Sequence, residues 1–288
     1  MGCSDCHGCR TVEGGCFITM YNDLFSIGPV TFHTYGLMTA IGIIAAYLMM
    51  ERRAKQKHFT EAERGKTLGL ILFCLIFGYV GSKLLYVLTI LPQLMQDPSV
   101  FLQSLTGGWV IFGGLLGGIF GAWLFCRLQK LPAGKYFDLA FPAVALAQAF
   151  GRVGCFFAGC CYGVETDSAF SIVFRHSDFA PNHVHLVPTQ LISAVLDLVL
   201  CLFLLWYEKN REKCSGELAA MYLILYSAGR FVLEFWRGDL ERGAVGPLST
   251  SQFIGLFTLL AGIILFAVLR MRTPLKEKKS GETAHEEA

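Results

Sequence analysis

Charge is what this sequence has least of. Of its 288 residues only 16% are Asp, Glu, Lys or Arg, against about a quarter in ordinary soluble domains. That leaves too few to cover a wet surface. Neither sign is in excess: 24 basic and 22 acidic residues leave a formal net charge of +2. Without a basic field, no nucleic-acid partner is expected. The polar composition of a disordered chain is missing too, because 54% of the residues are apolar. No internal repeat relates the two halves, and no soluble domain fits between the apolar blocks.

What is present comes in long apolar runs, near 31–50, 67–91, 109–127, 138–159, 188–207, 216–236 and 249–271. A helix rises about 1.5 Å per residue, so about 20 apolar residues cross a hydrocarbon core of roughly 30 Å. The pattern predicts an all-α polytopic membrane protein with seven transmembrane helices. The first run is not expected to be a cleaved signal peptide, since no basic n-region precedes it and six more spans follow. Three segments result: an extracytoplasmic Cys-rich stretch (1–30), a seven-helix domain (31–271) and a charged, unstructured cytoplasmic tail (272–288).

The basic residues orient these spans. With the N-terminus outside, the inner segments 51–66, 127–137, 208–215 and 270–288 hold seventeen Lys or Arg. The outer segments hold four: Arg10, Arg175, Arg237 and Arg242. Cytoplasmic loops carry the basic excess, so the N-terminus is expected outside and the C-terminus inside.

Lys83, Arg152 and Arg230 remain, each inside a span. A charge near the bilayer centre costs roughly 2.5–3.5 kcal/mol even on the lenient insertion scale. Any one alone fits snorkelling or a structural ion pair. Three at similar depth in the outer half point to a site for an anionic group entering from the outer leaflet. Gln148, Arg152 and Cys155 share one helical face, as do Ser227, Arg230, Glu234 and Arg237. Glu234, one turn from Arg230, is the expected partner that lowers the cost of both charges. Asp197 is a further buried acid, and Gln190 and Gln252 open the fifth and seventh spans. In the third span Gly113, Gly117 and Gly121 recur every four residues, as do Gly114 and Gly118. The ordinary meaning is close helix packing; the other is a backbone left bare for a lipid headgroup.

The cysteines fall into groups. Cys3, Cys6, Cys9 and Cys16, with His7 among them, suit a metal or cluster, or disulfides in an oxidising exterior. Their spacing matches no metal motif, and neither a metal nor another cofactor is expected. Cys155, Cys160 and Cys161 form a second group at the outer end of the fourth span. Cys74, Cys126 and Cys201 read as small buried apolar residues, and His176, His183 and His185 as exposed loop histidines.

Seven pieces, in the family's order along the chain, resemble one family. Gly151-Arg152-Val153-Gly154-Cys155-Phe156-Phe157-Ala158-Gly159-Cys160 is similar to the signature Gly-Arg-x-Gly-Asn-Phe-x-Asn-Gly-Glu of the prolipoprotein diacylglyceryl transferases. Tyr35-Gly36-Leu37-Met38 resembles its first-span motif. Gly81-Ser82-Lys83-Leu84-Leu85-Tyr86-Val87 resembles Gly-x-Arg-Leu-x-Tyr-Val, with Lys for Arg, and Gly113-Gly114-Leu115-Leu116-Gly117 its glycine core. Pro188-Thr189-Gln190-Leu191 and Arg230-Phe231-Val232-Leu233-Glu234-Phe235-Trp236-Arg237 complete the series, with Ser251-Gln252 like the start of the last span.

The resemblance implies transfer of the diacylglyceryl group of phosphatidylglycerol to the lipobox cysteine of a prolipoprotein, in a bacterial plasma or inner membrane. The active site would open toward the outer leaflet. It implies Arg152 as a phosphatidylglycerol ligand, with Lys83, Gly154, Glu234, Gly113, Gly114 and Gln252 beside it. Arg230 would be the essential span-6 arginine, and Tyr35 a polar catalytic group. Phosphatidylglycerol, lipobox prolipoproteins and membrane lipids are the implied partners. The chain departs from the pattern where Phe112 replaces the usual His, Cys155 and Ala158 the two Asn, and Cys160 the Glu. With no base at 112, His33, Tyr35 or the arginines' positive field is expected to activate the thiol. The departures also admit a relative that binds phospholipid but modifies another thiol acceptor or none. A transporter or lipid-binding protein is the third reading, disfavoured by the lack of a repeat.

Overall fold

The computed structural model describes residues 16–18, 23–27, 30–97, 99, 107–175, 177, 179–211, 214–239 and 244–286. The expectations for Cys3, Cys6, Cys9, His7 and His176 lie outside them. Strand β1 (Cys16–Ile18) comes first, then a hairpin of β2 (Asp23–Ile27) and β3 (Val30–His33) that runs straight into α1 (Thr34–Gln56). A capped turn α2 (Glu61–Arg64) opens α3 (Lys66–Thr89), and α4 (Leu91–Leu94) follows. Next are α5 (Ile111–Leu128) and α6 (Ala133–Ala158). Strands β4 (Ile172–Phe174) and β5 (His185–Leu186) lead to α7 (Thr189–Asn210). Helix α8 (Glu217–Leu233) ends in a 3-10 turn, Glu234–Trp236. Hairpin β6 (Ala244–Val245) and β7 (Leu248–Ser249) precedes α9 (Thr250–Glu286).

Among the described residues seven helical stretches are long and apolar enough to cross a membrane: Thr34–Gln56, Glu61–Thr89, Ile111–Leu128, Ala133–Ala158, Thr189–Asn210, Glu217–Trp236 and Thr250–Arg272. Each overlaps one of the runs read from the sequence. Their outward faces are apolar, with Leu72, Ile76, Leu84 and Leu88 exposed on α3 and Leu115, Leu116 and Ile119 on α5. Water would penalise such a surface and lipid does not. The all-α expectation holds for these spans but misses small strands beyond them. Strand β4 pairs in parallel with β1 and antiparallel with β5, inside a stretch expected to be loop.

The chain divides into two compact units. The first comprises Met1–Ile43, Val144–Lys209 and Ala220–Val268. One core cluster packs Phe156 at the end of α6 against Ile172, Phe174, Ala180 and Leu186. Two glycines let α1 lie tightly on α6. A Cβ at Gly42 would come within 3.0 Å of the Ala147 carbonyl oxygen, and one at Gly154 within 3.2 Å of Tyr35 Cδ2 and Met38 Cβ.

The second unit comprises Ile44–Ala143, Asn210–Ala219 and Leu269–Ala288. Here the glycine spacing resolves into packing. A Cβ on Gly81 would stand 3.0 Å from Gly117 Cα, one on Gly121 2.8 Å from the Phe73 carbonyl oxygen, and one on Gly113 2.7 Å from Leu85 Cβ. The missing side chains of α5 are therefore the room that α3 occupies. Buried charges tie the other elements of this unit. Asp138 accepts backbone N–H bonds from Gly216 (2.5 Å), Leu218 (3.0 Å) and Ala219 (3.3 Å), placing an anion on the N-terminus of α8. Arg53 donates to the Leu139 and Asp138 carbonyls, and Arg270 pairs with the buried Glu217.

Candidate active site

The first unit holds a cavity of about 300 Å³ lined by both charged and apolar side chains. Helix α6 contributes Arg152. Helix α7 contributes Ser193, Asp197 and Leu200, spaced to share one helical face, and α8 contributes Tyr226, Arg230 and Leu233 by the same rule. Leu196, Val199, Phe203 and Leu225 make up the apolar wall. Two guanidiniums and a run of apolar side chains lining one cavity suit an amphiphile with an anionic head.

The two arginines are held differently. Arg230 Nη2 lies 2.7 Å from Glu234 Oε2, and its Nη1 is buried with no hydrogen-bond partner among the described residues. Glu234 is itself fixed, because Ser249 Oγ donates to its Oε1 at 3.0 Å. Ser249 and Gln252 in turn cap α9 reciprocally, each backbone N–H donating to the other's side chain at 3.1 Å. Gln252 thus reaches the site through Ser249 and Glu234, not directly. Arg152 has no hydrogen bond to any described residue, although Tyr226, Cys155, Cys161 and Asp197 surround it within electrostatic reach. Its donors remain available for a ligand. Behind it Tyr222 Oη donates to Gln148 Oε1 at 2.5 Å and stacks on Tyr226, with ring centroids 5.4 Å apart.

At the end of α6 the three cysteines converge, Cys155 from its last turn and Cys160 and Cys161 from just past it, their sulfurs within 4.8 Å of one another. The neighbouring Cys155 and Cys161 thiols, then burial, push the Cys160 thiol up. Arg237 meets Asp239 through Nε–Oδ1 and Nη2–Oδ2 contacts of 2.9 and 2.7 Å and also hydrogen-bonds Cys161. Burial would lower the Arg237 pKa, but these partners outweigh it and raise it. Arg237 also lines a second cavity of about 250 Å³, with Tyr162, Glu165, Pro181 and Leu186.

The sequence-derived residues are therefore distributed unevenly. Arg152 and Arg230 meet at one cavity, with Glu234 paired as expected. Gly154 is the contact point for Tyr35, whose phenol lies within electrostatic reach of the three thiols. His33 ends β3 with an exposed side chain and lines neither cavity. Lys83, Gly113 and Gly114 belong to the second unit. There the Lys83 ammonium donates to the Gly107 and Gly108 carbonyls at 2.7 and 3.2 Å and sits 3.9 Å over the Trp109 ring. Asp197 was legible only as an isolated buried acid, and Tyr226 carried no signal at all.

A family model described as prolipoprotein diacylglyceryl transferase matches residues 22–268. The phosphatidylglycerol–prolipoprotein diacylglyceryl transferase of Clostridium tetani is 41% identical over 249 residues, covering 86% of this chain and 98% of that protein. Enzyme 2 of the same name from Clostridium perfringens is 43% identical over 251 residues, covering 87% and 94%. The one from Dehalococcoides mccartyi is 32% identical over 257 residues, covering 89% and 96%.

Proposed function

This chain belongs to the prolipoprotein diacylglyceryl transferase family, and from that premise we propose that it moves the diacylglyceryl group of phosphatidylglycerol onto the lipobox cysteine of prolipoproteins. In the reaction the acceptor sulfur attacks the glyceryl carbon, and glycerol phosphate leaves with the electron pair of the broken C–O bond. The lipid phosphate sits between Arg152 and Arg230, which hold it in the ground state and offset the charge that grows on the leaving oxygen. Asp197 and Tyr226 lie within electrostatic reach of both guanidiniums, and the acyl chains lie along Leu196, Val199 and Phe203. Tyr35 supplies a hydroxyl on the acceptor side. Lys83 is left out of this phosphate site because carbonyls already receive its ammonium, and Gly113 and Gly114 are left to helix packing.

The membrane is the bacterial plasma membrane, with the N-terminus outside and the cavity opening to the outer leaflet. The basic excess in segments 51–66, 127–137, 208–215 and 270–288 supports this orientation. The observation that carries the reading is Arg152, an arginine on a membrane helix facing a part-apolar cavity with its donors unclaimed by any described residue. Relatives bearing the transferase name at 41–43% identity do not favour a different thiol acceptor or an inactive protein.

The test is to incubate the purified protein in phosphatidylglycerol micelles with a lipobox peptide and follow the peptide's mass. A gain of one diacylglyceryl unit is expected, dependent on the peptide's cysteine and absent when phosphatidylethanolamine is the only lipid. No gain under any of these conditions contradicts the reading.

A further inference from the structure

Cys155, Cys160 and Cys161 stand where the family pattern has Asn, has Glu, and runs on past the motif, and the phosphate site uses none of them. Their convergence is built. Positions 155 and 160 are five apart and would point in different directions on a straight helix. The chain instead turns back through two left-handed residues, Gly159 (φ +71°) and Cys161 (φ +61°). A positive φ is uncommon for a residue with a side chain. The first two residues of α7 then pin the turn: Gln190 Nε2 donates to the Cys160 carbonyl at 2.9 Å, and Thr189 Oγ1 to the Cys161 carbonyl at 2.8 Å. None of the three cysteines is in a disulfide. Their sulfurs lie within 4.8 Å of one another. A tetrahedral zinc ion with Zn–S bonds of about 2.3 Å holds its sulfurs roughly 3.8 Å apart, so modest side-chain rotation closes the site.

We propose that Cys155, Cys160 and Cys161 bind one divalent zinc-class cation and that its open fourth position takes the thiol of the acceptor cysteine. The acceptor half of this inference rests on the transferase reading; the metal half does not. Among the described residues no fourth His, Cys, Asp or Glu ligand atom joins the group. Three protein ligands with one vacant position are the pattern of a zinc ion that handles substrate. Three thiolates on a divalent cation carry one net negative charge, and a fourth thiolate makes two. Two cations offset that charge. Arg237 hydrogen-bonds the Cys161 sulfur, and Arg152 acts on both Cys155 and Cys161. Room for an acceptor segment lies alongside, since Arg237 also lines the 250 Å³ cavity.

The chemistry balances without any change of oxidation state. The protein thiols lose their protons to solvent when the cation binds, and the acceptor thiol loses its proton on taking the fourth position. The bound sulfur then forms a C–S bond to the glyceryl carbon while the C–O bond to phosphate breaks, and glycerol phosphate departs. The thioether product is a weaker ligand than a thiolate, so the next acceptor displaces it. This supplies the thiol activation for which Phe112 offers no base.

The experiment uses the full chain carrying Cys3→Ser, Cys6→Ser, Cys9→Ser and Cys16→Ser, reduced, stripped with a chelator and titrated with Co²⁺ alone. One equivalent is expected to give thiolate-to-cobalt charge-transfer bands and tetrahedral d–d absorption, displaced by Zn²⁺. Single Cys155→Ser, Cys160→Ser and Cys161→Ser variants should each lose about a third of the charge-transfer intensity, with circular dichroism confirming the fold. A lipobox peptide, but not its Cys→Ser version, should shift the d–d bands. Absence of stoichiometric Co²⁺ binding, or binding that the peptide thiol never perturbs, overturns the proposal. So does full peptide lipidation by chelator-stripped protein, which would leave the transferase reading intact. Loss of lipidation in every preparation alongside an intact, peptide-sensitive cobalt spectrum would contradict the transferase reading and support the site.

Discussion

Arg152 and Arg230 face the same cavity, yet they should fail differently when changed. Arg152 has no hydrogen bond to any described residue, so Arg152→Ala should leave folding intact while removing the bonds proposed to the lipid phosphate. Charge-assisted hydrogen bonds contribute about 1.5–3 kcal/mol, which corresponds to roughly a 10- to 150-fold fall in transfer rate. Peptide mass spectrometry under limiting phosphatidylglycerol would read it, and Arg152→Lys should recover only part because it cannot grip phosphate bidentately. Glu234 works through stability. Glu234→Ala strands Arg230 in a buried setting and also unhooks Ser249, so thermal unfolding should show a loss of about 3 kcal/mol. Glu234→Gln keeps an acceptor for Ser249 and should lose less; equal losses would contradict the relay. Both arginines were legible in the sequence because a charge inside an apolar run has a cost that needs a reason. Asp197 and Tyr226 were not, since their convergence on Arg152 depends on how three helices pack.

At the scale of elements, the glycines divide sharply. Gly81→Leu places a side chain into the backbone of α5, and overpacking of that kind costs about 2–3 kcal/mol. Gly229→Ala meets nothing within 4 Å and should leave the melting temperature unchanged or slightly raised. A comparable fall for both variants would remove the packing account of the stripe. Asp138→Ala takes the anion from the start of α8 and leaves three backbone N–H groups unpaired. The expected result is a loss of about 2 kcal/mol and faster hydrogen exchange confined to residues 216–219. The long helices were readable because apolar runs of that length have few other fates. The strands β4 and β5, three and two residues long, were not. Pairing with β1, more than a hundred residues earlier, is a long-range event that no local pattern announces.

For the whole molecule, the orientation is the first consequence open to test. In a background with native cysteines changed to serine, Asp167→Cys should react with a membrane-impermeant maleimide in intact cells. A single cysteine restored at Cys214 should react only after the membrane is broken. The opposite pattern would invert the inner and outer segments and with them the side from which lipid enters. The central claim, that this chain couples phosphatidylglycerol cleavage to thiol alkylation at the Arg152–Arg230 cavity, is tested most directly by one paired measurement. Wild-type protein and Arg152→Ala are each given phosphatidylglycerol and a lipobox peptide, and glycerol phosphate release is measured together with peptide mass gain. The account predicts one glycerol phosphate per diacylglyceryl-peptide with the wild type, and both products falling together by roughly 10- to 150-fold with the variant. Full and equal yields from both proteins would contradict it.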